Sequence, residues 1–119
     1  MLQLSRILIP LLLLASCVGA EPQLADATDA DHQAAARGLA YSREVCAGCH
    51  AVAVGEQSSP NPNAPPFAVI ANLPGMTPTA LNAWLHSAHA SMPNLIVAPN
   101  DRADVAAYLQ SIKRRDGAS

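Results

Sequence analysis

The chain has 119 residues, which is enough for at most one domain. Half of the residues are hydrophobic by type, but 24 are alanine and only four are aromatic, so few large side chains are available for a core. With 13% charged residues and a net charge of −2, the chain is neither a disordered polyelectrolyte nor a basic nucleic-acid-binding protein. We therefore expect a small domain whose core is completed by something besides its own side chains.

Residues 1–20 have the pattern of a secretory signal peptide. A single positive charge, Arg6, precedes a short apolar run that ends in small residues, whereas a membrane span needs about 20 apolar residues. The end of this segment fits two processing routes: residues 18–20 resemble a signal-peptidase site, and residues 14–17 resemble a lipobox that ends at Cys17. We expect a periplasmic protein in a bacterium, with a lipid anchor on Cys17 as the alternative.

The remaining chain divides into a flexible arm or tether over residues 21–31 and one domain over residues 32–119. The arm is rich in Ala and Asp and has no apolar periodicity, so no fold is assigned to it. Small and apolar residues recur every three or four positions from 31 to 46, which predicts a first helix. The next stretch, residues 55–66, contains four prolines and predicts an extended loop.

Three further helices are predicted after this loop, and no segment has the alternating pattern of a strand. A short helix covers residues 67–73, and a longer one begins with Thr77 as its N-cap and Pro78 at its first position. Asn100 is expected to cap the last helix. The fold class is therefore all-α. The last helix carries an apolar stripe formed by Val105, Tyr108, Leu109 and Ile112. Its first turn is expected to hold the acidic residues Asp101 and Asp104, and its last turn the basic residues Lys113, Arg114 and Arg115.

The string from Cys46 through Cys49 to His50 carries the chemistry. Two thiols three residues apart at a helix end, with an adjacent imidazole, allow covalent attachment of haem to both sulfurs while His50 coordinates the iron. A structural zinc site needs four ligands, which the sequence does not supply at a suitable spacing. A thioredoxin-like redox pair belongs to a βαβ unit, and the sequence predicts no strand, so this alternative is not favoured. A plain disulfide remains an alternative, because an exported protein meets an oxidising compartment.

Across residues 32–113 the chain resembles the class I, mono-haem c-type cytochromes of the small bacterial periplasmic type. The resemblance implies a cytochrome c fold of about four short helices packed around one covalently attached haem. In that family two cysteines hold the haem, the following histidine is the proximal ligand and a downstream methionine is the sixth ligand. The residues that match the family pattern are Gly38, Tyr41, Cys46, Cys49, His50, the stretch 64–67, Trp84, the stretch 89–93 and Tyr108.

The resemblance makes Met92 the expected distal ligand of the haem iron. Met92 lies in an extended stretch and is followed by Pro93, so it belongs to a stiffened loop before the last helix. Met76 directly precedes the helix cap and is expected in the core. The other candidates are three histidines that are expected on solvated surfaces: His32, His86 and His89.

Four further residues are expected to support the haem. The second ring nitrogen of His50 needs an acceptor, and in the family a proline carbonyl provides it, so Pro65 or Pro66 is expected in this role. Tyr108 is expected to pack where the first and last helices cross. Trp84 is expected in the core, with contact between its indole and a haem propionate as a further role.

These features predict a one-electron carrier rather than an enzyme. Ligation by His50 and Met92 fills both axial positions, and a methionine raises the reduction potential relative to a second histidine. The expected partners are redox proteins, such as a dehydrogenase, reductase or oxidase, and the protein is expected to be a monomer. Two alternatives remain: a haem-bearing subunit of one particular redox complex, or a ligand-binding or peroxidatic haem protein if Met92 does not bind iron.

Overall fold

A computed structural model describes residues 23–87, 92 and 95–114, and in these ranges every regular element is an α-helix. This confirms the all-α fold class. No helix in the described ranges is long and apolar enough to cross a membrane. The predicted signal peptide and its lipobox lie outside those ranges. The helices are α1 (Gln23–Val45), α2 (Phe67–Ala71), α3 (Pro78–His86) and α4 (Pro99–Ile112).

Helix α1 begins well before the position that the sequence predicted, so the described part of residues 21–31 is helical. The helix starts at Gln23, and residues 27–33 are all exposed to solvent. Alanine favours helix, and neither proline nor glycine occurs between Gln23 and Gly38 to interrupt it. The absence of apolar periodicity over residues 27–33 goes with their exposure to solvent and not with an irregular backbone.

Helices α1 and α4 cross at Gly38, and this crossing is the main packing contact of the fold. A side chain at Gly38 would collide with the Asp104 carbonyl and would lie 2.9 Å from the Cβ of Tyr108. Next to the crossing, the Arg37 guanidinium donates two hydrogen bonds to the Asp104 carboxylate, at 2.7 and 2.8 Å. This carboxylate raises the pKa of Arg37 above its ordinary value. Glycine is therefore the residue that lets the two backbones meet.

The core lies beneath this crossing and is small. The buried part of the α4 stripe agrees with the predicted pattern, and Ile112 packs against its edge. Met76 is 8% exposed, which confirms its predicted place in the core. Two of the buried core positions, Ala71 and Ala106, hold alanine, so little apolar area is covered at each of them. The buried core residues are Val52, Phe67, Ala71, Met76, Leu81, Val105, Ala106, Tyr108 and Leu109.

The start of α3 confirms the prediction, whereas the start of α4 corrects it. The Thr77 side chain accepts a hydrogen bond from the backbone N–H of Ala80 at 3.1 Å, with Pro78 at the first helical position. In α4 the N-cap is Ala98 rather than Asn100, because Pro99 already occupies the first helical position. Proline has no N–H to satisfy there, and its fixed φ suits a helix start.

The end of α4 also differs from the prediction that basic residues occupy its last turn. The helix ends at Ile112 with Lys113 as its C-cap, Arg114 follows it, and Arg115 lies outside the described residues. The Lys113 ammonium donates to the Met76 carbonyl at 3.1 Å, and the Arg114 backbone N–H donates to the side-chain oxygen of Asn72 at 2.9 Å. These contacts connect the end of α4 to the chain that follows α2.

Candidate functional site

The two cysteines and His50 lie on one backbone turn that continues from the end of α1. The backbone N–H of Cys46 donates to the Ser42 carbonyl at 2.9 Å, so the helical path extends into the motif. The Cys46 carbonyl then accepts hydrogen bonds from the N–H groups of Cys49, at 3.1 Å, and His50, at 2.9 Å. This turn presents two thiols and an imidazole within a five-residue stretch. Both cysteines are free thiols in the structure.

The His50 ring is held by the carbonyl of Pro65. The distance from His50 Nδ1 to the Pro65 carbonyl oxygen is 2.8 Å. A carbonyl oxygen only accepts hydrogen bonds, so in the neutral ring Nδ1 carries the proton and Nε2 keeps its lone pair. Of the two prolines that the sequence left open, Pro65 is therefore the one that bonds the ring. The Pro66 carbonyl accepts from the N–H groups of Val69 and Ile70 in the first turn of α2.

Phe67 also orients the His50 ring, a contact that the sequence did not single out. The centroids of the two rings are 5.5 Å apart in an edge-to-face arrangement, and Phe67 is only 5% exposed. The backbone N–H of Phe67 donates to the Ala51 carbonyl at 2.8 Å, which joins the two ends of the loop between His50 and α2. The signal for this role was present, because Phe67 closes the matched stretch 64–67.

The loop after His50 is joined to the rest of the domain by hydrogen bonds. The Ala51 N–H donates to the Ser59 hydroxyl at 3.0 Å, and the Asn61 N–H donates to the Cys49 carbonyl at 3.1 Å. From α4, the buried Tyr108 hydroxyl donates to the Val52 carbonyl at 2.7 Å. Tyr108 thus packs at the helix crossing, as predicted, and also fixes the backbone two residues after His50.

The electrostatics of Cys46 differ from those of a reactive redox thiol. Burial raises the pKa of the Cys46 thiol above its ordinary value, and a hydrogen bond with Ser42 offsets part of this shift. The attacking cysteine of a thioredoxin-like pair has a lowered pKa instead. Cys49 is exposed to solvent. The environment of Cys46 therefore does not favour the redox-pair alternative.

Met92 is half-buried and lies in a bend between α3 and α4. The chain that leads from it into α4 alternates in exposure: Ile96 is 94% exposed and the adjacent Val97 is 3% exposed. His89, one of the predicted surface histidines, lies outside the described residues. The other two, His32 and His86, are exposed, as predicted. Met92 is thus partly shielded from solvent.

Trp84 is not a core residue, so that prediction is wrong. The side chain is 57% exposed, while Leu81 on the same helix is 7% exposed. A spacing of three residues brings two positions near the same helix face, but α3 has nine residues and packs mainly through Leu81, Ala80 and Leu85. The exposed indole lies on the helix that leads into the Met92 stretch.

The residues present fit a covalently attached haem. Two thiols and an imidazole whose Nε2 is unprotonated form the donor set that such a group requires. Exposed apolar side chains at Trp84, Leu95 and Ile96 are located on both sides of Met92 in the sequence and suit contact with an apolar plate. Within residues 23–87, 92 and 95–114, no group of three or more Cys, His, Asp or Glu side chains is placed to hold a bare metal ion.

Comparison with known proteins gives one clear similarity. The chain is 32% identical over 87 residues to a protein named cytochrome c-552 from Bradyrhizobium diazoefficiens. The matched region covers 73% of this chain and 78% of that relative. No protein-family model matches the chain, and no solved structure matches it significantly.

Proposed function

Since the chain belongs to the small c-type cytochromes, which are haem electron carriers, we propose that it carries one electron at a time on a single haem c. In this proposal Cys46 and Cys49 form thioether bonds to the haem, His50 is the proximal iron ligand and Met92 is the distal ligand. The partners are redox proteins in the periplasm or at the membrane, and the carrier is a monomer that catalyses no reaction of its own.

The observation that carries the proposal is the hydrogen bond from His50 Nδ1 to the Pro65 carbonyl. It fixes the tautomer in which Nε2 is available to iron, and it raises the basicity of the imidazole as a ligand. The Phe67 edge contact restricts rotation of the same ring. A histidine with both constraints, next to two thiols on the same turn, is suited to permanent ligation rather than to proton transfer.

The haem supplies a reversible one-electron change of its iron when it is bound. The protein residues decide how that change is used. Two protein ligands leave no coordination position for a substrate, which favours electron transfer over catalysis. The thioether of Met92 stabilises the reduced iron more than a second imidazole does, so it raises the reduction potential.

The decisive experiment is purification of the full chain from a host that attaches haem covalently. Absorption spectra of both redox states and the protein mass then give haem count, covalency and ligation together. Replacement of Met92 by Leu should abolish the methionine-to-iron charge-transfer absorption, lower the reduction potential and let cyanide bind the ferric iron. Met76→Leu is the matched control, because it makes the same exchange at a core position and should leave all three unchanged.

A wild-type protein without the charge-transfer absorption would contradict the proposed ligation and favour a ligand-binding or peroxidatic haem protein. Location is tested on the same material by the mass of the N-terminus. A chain that begins at Glu21 supports a periplasmic protein released by signal peptidase, and a diacylated Cys17 supports a membrane-anchored lipoprotein.

A further inference from the structure

Met92 lies in the stretch of chain between the end of α3 and Val97. Arg102 connects the chain before this stretch to the chain after it. Its Nε donates a hydrogen bond to the side-chain oxygen of Asn82 at 2.8 Å, and one Nη donates to the Val97 carbonyl at 2.5 Å. Asn82 lies in α3, before the stretch, and Val97 lies after it. Arg102 itself is in the second turn of α4. One guanidinium thus joins three consecutive parts of the chain.

The position of Val97 determines how far Met92 is able to move. Val97 is 3% exposed, so its side chain is packed while its carbonyl is held by Arg102. Only four residues separate Val97 from Met92, and a chain of five residues reaches about 17 Å at most. At the other end, the Ser87 hydroxyl bonds the Ala83 carbonyl at 2.6 Å and closes the last turn of α3. The stretch is therefore fixed at both ends.

We propose that Arg102 is the positioning residue for the sixth ligand of the haem iron. This inference rests on the proposed ligation by Met92. A thioether is a neutral ligand, so the chain that carries it must hold it in place. By bridging Asn82 and Val97, Arg102 shortens the effective loop and lowers the entropy that Met92 loses when it binds iron. A planar guanidinium reaches two acceptors in different directions, which a lysine ammonium does less well.

The test compares ferric Arg102→Ala with the wild type in imidazole binding, since imidazole binds only after Met92 has left the iron. Arg102→Ala loses both hydrogen bonds, and loss of even one charge-assisted bond corresponds to about a tenfold larger population without Met92 bound, so imidazole should bind at least about tenfold more tightly. Arg102→Lys should give an intermediate result.

Arg37→Ala is the matched control. It also removes one arginine that bonds α4, but both of its hydrogen bonds go to Asp104, which lies within α4 and outside the stretch around Met92. If Arg37→Ala increases imidazole affinity as much as Arg102→Ala does, the effect is general loosening of α4 and the inference is wrong. Asn82→Ala removes only the exposed half of the bridge, so it decides the question if Arg102→Ala does not fold.

The failure of this inference is distinguishable from failure of the proposed ligation. If the wild type has the methionine-to-iron absorption and Met92→Leu removes it, but Arg102→Ala and Asn82→Ala bind imidazole like the wild type, then only the role of Arg102 is wrong. If the absorption is absent from the wild type, the ligation by Met92 is wrong, and the role of Arg102 is overturned with it.

Discussion

The side of the molecule around His50 and the side around Met92 are held by different means. On the His50 side, the carbonyls of Cys49, Ala51, Val52 and Pro65 all accept hydrogen bonds from other parts of the chain. Val52 and Phe67 are nearly completely buried there. On the Met92 side the described chain is joined mainly through Arg102, and Ile96 is 94% exposed.

This difference indicates a division of roles between the polypeptide and the haem. The His50 side is organised by hydrogen bonds that exist within the chain itself, so the proposed proximal ligand is preorganised. The Met92 side offers exposed apolar surface at Trp84, Leu95 and Ile96, which a haem is able to cover. In this interpretation the proposed proximal ligand, His50, is fixed by the fold, and the proposed distal ligand, Met92, is fixed by the fold and the cofactor together.

The largest expected effect comes from removing both attachment sites. Cys46→Ala/Cys49→Ala should contain no covalent haem and should lose its cooperative thermal transition, because the buried core of the polypeptide is small. Circular dichroism during heating measures this. Cys17→Ala is the control within the chain, and it should keep both haem and transition. A native-like cooperative melt of the double variant would show that the polypeptide alone completes the core.

The helix crossing on the His50 side provides the second test. Gly38→Ala places a methyl group against the Asp104 carbonyl and the Tyr108 side chain, so the two helices must separate. We expect a loss of about 1–3 kcal/mol in the free energy of unfolding. Gly48→Ala is the matched control, since a methyl group at Gly48 meets no atom within 4 Å. Equal denaturant midpoints for the two variants would contradict a close crossing.

Local signals explain which parts of the fold were predictable from the sequence. Thr77 and Pro78 are adjacent, and the preference for a threonine N-cap followed by a proline involves only residues of one helical turn. The α4 stripe is likewise readable, because Val105, Tyr108 and Leu109 follow helical spacing. The exposed start of α1 was missed because a solvated helix has no apolar periodicity to detect.

Non-local contacts explain what the sequence could not provide. The choice between Pro65 and Pro66 depends on how the loop returns to His50 over 15 residues. The bridge from Arg102 to Asn82 spans 20 residues, and an isolated arginine in a helix gives no sign of it. Trp84 shares a helix face with Leu81, but which part of that face is covered depends on neighbouring helices.

The hydroxyl of Tyr108 gives the smallest and most specific test of the His50 side. Tyr108→Phe keeps the ring but removes the hydrogen bond to the Val52 carbonyl, which lies in a buried part of the backbone. We expect a loss of about 1 kcal/mol in the free energy of unfolding near neutral pH. Tyr41→Phe removes the same group from a half-buried tyrosine of α1 and should cost less.

The pH dependence of stability tests the same hydroxyl independently. Burial is the main reason that the pKa of Tyr108 is raised, with Arg43 opposing the shift and Glu56 adding to it. The folded protein therefore keeps this proton to a higher pH than the unfolded chain, whose tyrosines ionise near pH 10. The resulting stability is complete below that pH and is lost as the pH rises through the folded value. Denaturant unfolding from pH 8 to pH 11 should give a shallower decline for Tyr108→Phe than for the wild type. Parallel declines would contradict a raised pKa of Tyr108 in the folded protein.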